Sequence, residues 1–171
     1  MIKIHYIHYW YIKNERDIDD ITWSKISKDS QKIFEYFKEN KDLCLELGDW
    51  NGYSEPIVDN DKIIFNGRYD KRCDSFVIFA KCKDRYHNVS SISNYYFDFC
   101  NTGKKPYDIV VQMILLIFKH HMQDDIFIHS DSSNTDWINA IELTKKIFNY
   151  SDIMVEYVLC KNKNRGYKYH A

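Results

Sequence analysis

Apolar and polar positions alternate through residues 2–12, IKIHYIHYWYI, and the β-branched and aromatic content predicts a strand. Ile4, Tyr6, His8 and Trp10 fall on one face, with His5, Ile7, Tyr9 and Tyr11 on the other. Both faces carry apolar bulk, so a strand covered on both sides is expected. From Thr22 to Asn40 the period lengthens to that of a helix. Trp23, Ile26, Ile33, Phe34 and Phe37 make its stripe, with Asp19, Asp20 and Thr22 as candidate caps. Residues 48–61, with two Gly, a Pro and three Asp, read as a loop. KIIF (62–65), DSFVIFAKC (74–82) and NYYFDFC (94–100) read as strands, with a turn expected at Asn66-Gly67.

Residues 106–122 are apolar nearly all round, which predicts a buried helix with Pro106 at its first position. DIFIHSD (125–131) predicts another buried strand. A helix follows over 135–150 with Trp137, Ile141, Thr144 and Phe148 on one face, then a last strand at 153–160. This order is not a regular strand–helix alternation. It predicts an α+β fold with a mixed or mainly antiparallel sheet and three helices packed on it, the 106–122 helix buried. The chain of 171 residues reads as one domain over 1–171, with 161–171 as a flexible basic tail.

Composition narrows the class. Hydrophobic residues make up 44% and aromatics 16%, enough apolar surface to repay the entropy of folding. No apolar run is long enough for a membrane span, so no membrane partner is expected. The odd set Cys44, Cys73, Cys82, Cys100 and Cys160 contains no CxxC pair, and MIKIHYIHYW lacks the apolar core of a signal peptide. Free thiols in a reducing, cytoplasmic compartment are expected. Net charge is −1, yet residues 1–61 carry −5 and residues 62–171 carry +4, which leaves room for an anion-binding face.

The chemistry concentrates at CNTGKKPYD (100–108), between a strand and the buried helix. A helix start offers unpaired N–H groups and partial positive charge. Thr102 is a candidate cap, Gly103 permits close backbone approach, and Lys104 and Lys105 add charge; together they suit a phosphate or carboxylate. The loop lacks the first glycine of a Walker A motif. Arg68 and Arg72 extend the basic set, and Tyr69, Tyr86, Tyr95 and Tyr96 interleave with it, a pattern that also accommodates nucleic acid. His129 and Asp131 project from one strand face and are the catalytic candidates, with Asp136 or Asp108 as neighbours. Turn and cap roles for these residues are the simpler alternative. Cys73, Cys82, His87 and Cys100 are spaced too widely for an ordinary zinc site, and no metal or cofactor is expected.

The blocks IIFNG (63–67), DSFVIF (74–79), FDFCNTGKKPYDIVV (97–111) and HSD…DW (129–137) resemble a family of small phage and bacterial proteins to which no function attaches. That family's pattern reads FNG, a Glu-x-Phe block, FCKTxxKPYD and SSDGDxxW; this chain has Asn101 for Lys, Ser132 for Gly and Asp74 for the Glu of the second block. The resemblance implies a viral or phage accessory context and no activity. The expected function is a small binding protein that recognises a nucleotide-like anion or a host protein, with oligomerisation open. The alternative is a small hydrolase acting on a nucleotide or phosphodiester.

Overall fold

The computed structural model describes residues 6–13, 17–41, 45–85 and 95–150. The predicted strand at 153–160 and the tail at 161–171 lie outside the described residues. The same holds for His5, Cys44, Tyr86, His87 and Cys160. Ten elements follow in order: β1 (Ile7–Lys13), α1 (Asp20–Glu39), β2 (Leu47–Gly48), β3 (Ile57–Val58), β4 (Lys62–Gly67), β5 (Phe76–Phe79), β6 (Tyr95–Asn101), α2 (Asp108–Met122), β7 (Ile126–Ser130) and α3 (Ile138–Phe148). The fold is α+β, as the order of elements predicts, but its strands form two antiparallel sheets.

The first sheet has the order β6-β1-β7. Its register pairs His8 with Cys100 and Ser130, and Trp10 with Asp98 and Ile128. Tyr6, His8, Trp10 and Ile12 are buried, while Ile7, Tyr9 and Tyr11 are half-exposed. Among the described residues β1 is therefore covered on one face, not both. In the second sheet β4 is the hub, pairing with β2, β3 and β5.

Helix α2 is the central packing element, with every residue from Val110 to Phe118 buried. It contacts both α1 and α3 and packs on β7. Asp19 caps α1 by accepting a bond from the Thr22 amide at 2.9 Å. The α1 stripe runs Trp23, Ile26, Ile33 and Phe37, and it also buries Asp29 and Ser30.

Several local expectations change. Asn66-Gly67 ends β4 instead of forming a turn; the chain reverses in the single turn Tyr69–Lys71. Asn66 is buried and bridges the segments on either side, donating to the Cys73 carbonyl (2.9 Å) and accepting from the Gly67 amide (2.8 Å). Side-chain amides satisfy buried backbone as well as they make turns, and burial decides which. The stretch 48–61 supplies β3 and the second residue of β2. β7 is half-exposed, with Ile126 its one buried residue. α2 starts at Asp108, two residues after Pro106, and a Ser133–Asp136 capping box caps the single turn Asn134–Trp137 that leads into α3, whose own first residue follows Trp137 without a side-chain cap.

Candidate functional site

Two histidine–aspartate pairs organise the polar interior, and neither is the pair of residues that the sequence singles out. His8 Nε2 lies 2.7 Å from Asp108 Oδ1, and His121 Nε2 lies 2.7 Å from Asp29 Oδ2. Their surroundings differ.

The first pair sits where the CNTGKKPYD junction meets the end of β7. Gly103 and Lys104 both take positive φ, 56° and 59°, which folds the junction back over β1. A Cβ on Gly103 would lie 3.3 Å from Cys73 Sγ, in a conformation that L-residues avoid. Asp108, in the first turn of α2, accepts from Thr102 Oγ1, from His8, and from Gln112 Nε2 at 2.9 Å. The other imidazole nitrogen, His8 Nδ1, is 2.8 Å from Ser130 Oγ. Ser130 Oγ is 2.6 Å from Ser132 Oγ, which accepts from Trp137 Nε1 at 2.8 Å. His8 is fully buried, edge-on to both Tyr6 and Trp137, whereas Ser130 and Ser132 are partly exposed. Tyr6 is buried and its hydroxyl completes no hydrogen bond among the described residues, with Ser132 and Asp136 as polar neighbours. Burial first, then the charge of Asp108, pushes its pKa up to about 12, so at neutral pH it remains a donor.

This geometry reassigns the junction residues. Thr102 is fully buried and bonded to Asp108 and the Tyr6 carbonyl, so it neither caps α2 nor faces a ligand. The amides expected to cradle an anion are largely spent. Gly103 N donates to Asn101 Oδ1 (3.0 Å), Lys105 N to the Thr102 carbonyl (3.0 Å) and Asp108 N to the Lys105 carbonyl (2.9 Å). The anion at the helix start is the chain's own Asp108. Lys104 reaches Asp136 at 3.5 Å and lies over the Tyr6 ring, while Lys105 Nζ donates to the Asp70 carbonyl. Arg68 pairs with Glu55 at 2.7 Å, and Arg72 donates to the Asn51 carbonyl at 2.6 Å. Lys104 joins the His8 cluster; the structure places Arg68 and Arg72 elsewhere, against the 47–55 segment.

His129 and Asp131 are both exposed and meet through Tyr9, whose ring stacks on His129 and whose hydroxyl donates to Asp131 at 3.3 Å. They lie on the open face of the first sheet, among Tyr11, Tyr95, Phe97, Phe99 and Phe127, and Asp108 and Asp136 do not join them. Among the described residues no cluster of three or more His, Cys, Asp or Glu is arranged to hold a metal. Cys100 is fully buried, which pushes its thiol pKa up and leaves it unreactive.

The second pair lines a hollow of about 390 Å³ bounded by Lys25, Lys28, Gln31, Lys32 and Glu35 of α1, with His121 and Tyr150 opposite. Both His121 and the Tyr150 hydroxyl converge on Asp29 Oδ2. Burial works to raise the Asp29 pKa, but these two hydrogen bonds outweigh it and hold the carboxyl below its usual value. His120 stacks on the Tyr150 ring at 3.7 Å and fixes it from behind. Lys25, Lys28 and Lys32 recur at helical spacing, so their side chains share one edge of the hollow. Lys25 and Lys28 make no ion pair among the described residues.

A larger hollow of about 980 Å³ is lined by Asp17, Asp61, Lys62, Phe79, Lys81, Lys83, Asp84 and Arg85. Its cations are mostly matched. Lys81 reaches Asp20 (3.1 Å) and Asp17 (3.6 Å), and Arg85 donates to the Phe79 and Ala80 carbonyls. Sequence reading misses both histidine pairs, though each leaves a trace. Asp29 is an acid on an apolar helix stripe, and His8 is an ionisable group on the same strand face as Trp10. No helix among the described residues is long and apolar enough to cross a membrane. No protein-family profile, curated protein or solved structure matches the chain, so the site's own geometry has to carry the functional reading.

Proposed function

We propose that this chain is a binding protein that takes a small phosphate-bearing, nucleotide-like anion in the hollow between α1 and Tyr150. The observation that carries this reading is the lysine edge Lys25, Lys28 and Lys32, of which Lys25 and Lys28 make no ion pair among the described residues, over a floor fixed by Asp29, His121 and Tyr150. A volume of about 390 Å³ lies within the usual range for small-molecule sites, roughly 300–1,000 Å³. Ammonium groups on one helix edge attract phosphate, while a preorganised polar floor limits the entropy lost on binding. A viral or phage accessory setting, implied by the sequence resemblance, fits a protein that captures a signalling nucleotide or engages a host factor.

Titration calorimetry with ATP, with inorganic phosphate as the reference, tests the reading. ATP is expected to bind with an affinity that falls as salt rises, and Lys28→Ala/Lys32→Ala to weaken it at least about tenfold. Equal affinity in that double variant would overturn the assignment to this hollow. Nucleotide released by heat after incubation should be chemically intact; cleaved nucleotide would favour the phosphodiesterase alternative. A protein partner is the second reading, favoured by the open face of the first sheet, where Phe99 is 44% exposed beside Tyr9 and Phe97.

A further inference from the structure

We propose that Ser130 is a nucleophile, activated by His8 and Asp108, that takes an acyl group from a small ester. The site is separate from the hollow and its chemistry is independent of anion capture.

The argument begins with the fixed ends of one hydrogen-bond chain. The Trp137 indole N–H can only donate, and the Asp108 carboxylate can only accept. Between them lie Ser132 Oγ (2.8 Å from the indole), Ser130 Oγ (2.6 Å further), His8 Nδ1 (2.8 Å) and, from Nε2, Asp108 Oδ1 (2.7 Å). A chain with such ends runs one way. Each hydroxyl passes its hydrogen towards Asp108, and the Ser130 O–H points at an imidazole nitrogen that is free to accept it. The Ser132 amide also donates to Ser130 Oγ at 3.1 Å, which leaves the serine proton no better destination than His8; the Ile7 carbonyl lies further off, at 3.4 Å.

Nucleophile, base and orienting carboxylate are thus all within hydrogen-bond reach, the arrangement that defines an activated serine. The imidazole is turned over relative to the serine-protease case, with Nδ1 facing the hydroxyl, but either ring nitrogen can serve as the base. His8 is fully buried while Ser130 is partly exposed at the end of β7, so the base is dry and the hydroxyl sits at the boundary with solvent. The Tyr6 hydroxyl is a buried donor beside Ser132 and Asp136 that meets no full hydrogen-bond geometry among the described residues, and it is the donor nearest to where a carbonyl oxygen would lie. Lys104 Nζ lies 5.1 Å from the Tyr6 ring centre and pairs with Asp136 at 3.5 Å.

The step balances without a cofactor. The Ser130 proton moves to His8 Nδ1 as Oγ bonds to the acyl carbon. The tetrahedral adduct then expels the alkoxide, which leaves as the alcohol after taking that proton. Water repeats the sequence, giving up a proton to His8, and releases the carboxylic acid as Ser130 Oγ regains its hydrogen.

A biotinylated fluorophosphonate incubated with the folded full chain, followed by intact mass and peptide mapping, tests this. A single adduct on Ser130 is expected, and Ser130→Ala should abolish it. Hydrolysis of p-nitrophenyl acetate should drop at least about tenfold in Ser130→Ala. The proposal fails if folded wild type takes no adduct, if the adduct maps to another residue, or if Ser130→Ala hydrolyses the ester at the wild-type rate. Mapping on wild type stays decisive even if Ser130→Ala folds poorly. ATP binding at the hollow is expected to be unchanged by Ser130→Ala, so the two readings succeed or fail separately.

Discussion

Two histidine–aspartate contacts of the same length, 2.7 Å, are connected differently in this molecule. Around His8 the bonds run in series: indole, hydroxyl, hydroxyl, imidazole, carboxylate. Around His121 they converge, with an imidazole and a phenol meeting on one carboxylate oxygen. A series can pass a proton from one end to the other. A convergence fixes a charge in place, which suits the floor of a binding site and not a reaction. Composition is nearly the same in the two; connectivity separates them.

The comparison is broken most forcefully at Asp108. Asp108→Ala removes the acceptor for three donors, His8, Thr102 and Gln112, all fully or almost fully enclosed. A loss of about 3–5 kcal/mol is expected, the range for one partner stripped from a buried pair, and urea unfolding measures it. Asp29→Ala should cost less, about 1–3 kcal/mol, because His121 and Tyr150 can turn to water in the hollow. If the two losses came out equal, the distinction between a closed series and an open convergence would be wrong.

Acid titration sharpens the contrast. The Asp29 pKa is depressed, so its stabilisation is complete above the usual carboxylate value of about 4 and is lost as pH falls through the lower folded-state value. Tyr150→Phe deletes one of the two bonds responsible and raises that folded-state value. The acid-side loss of stability should therefore shrink, visible as a flatter dependence of the urea midpoint on pH below about 4. The smallest effect is expected at Lys104→Ala. Its ion pair with Asp136 is largely solvent-exposed, so a change of about 0–1 kcal/mol in thermal or urea unfolding is anticipated.

Much of this fold is written in local pattern. The period of apolar residues locates α1 and the buried α2, the aromatic runs locate β1 and β6, and Asp19 marks the α1 start because a short acidic side chain reaches the free amides there. These features depend on neighbours a few residues apart, and such neighbours are visible in one dimension. Asn66-Gly67 shows the limit: the same dipeptide makes a turn or a buried strand end according to what lies above it, and here Asn66 is wanted by the Cys73 backbone.

The candidate sites are the part that only the tertiary structure decides. His8 lies 100 residues from Asp108 and 122 from Ser130 in sequence, and the three are joined by the antiparallel register of β1 with β7 and by the placement of α2 behind them. Asp29, His121 and Tyr150 meet because α1, α2 and the end of α3 pack side by side. The sequence by itself supplies the basic junction Lys104–Lys105, the His129/Asp131 strand end and the lysines of α1. It carries no sign of which charges are already answered. Folding spends the junction amides on the chain's own carbonyls and on Asn101, and leaves Lys25 and Lys28 unpaired among the described residues. Hydrogen-bond satisfaction is a property of three-dimensional neighbours, which is why the residues that look most reactive in the sequence are not those the structure leaves poised.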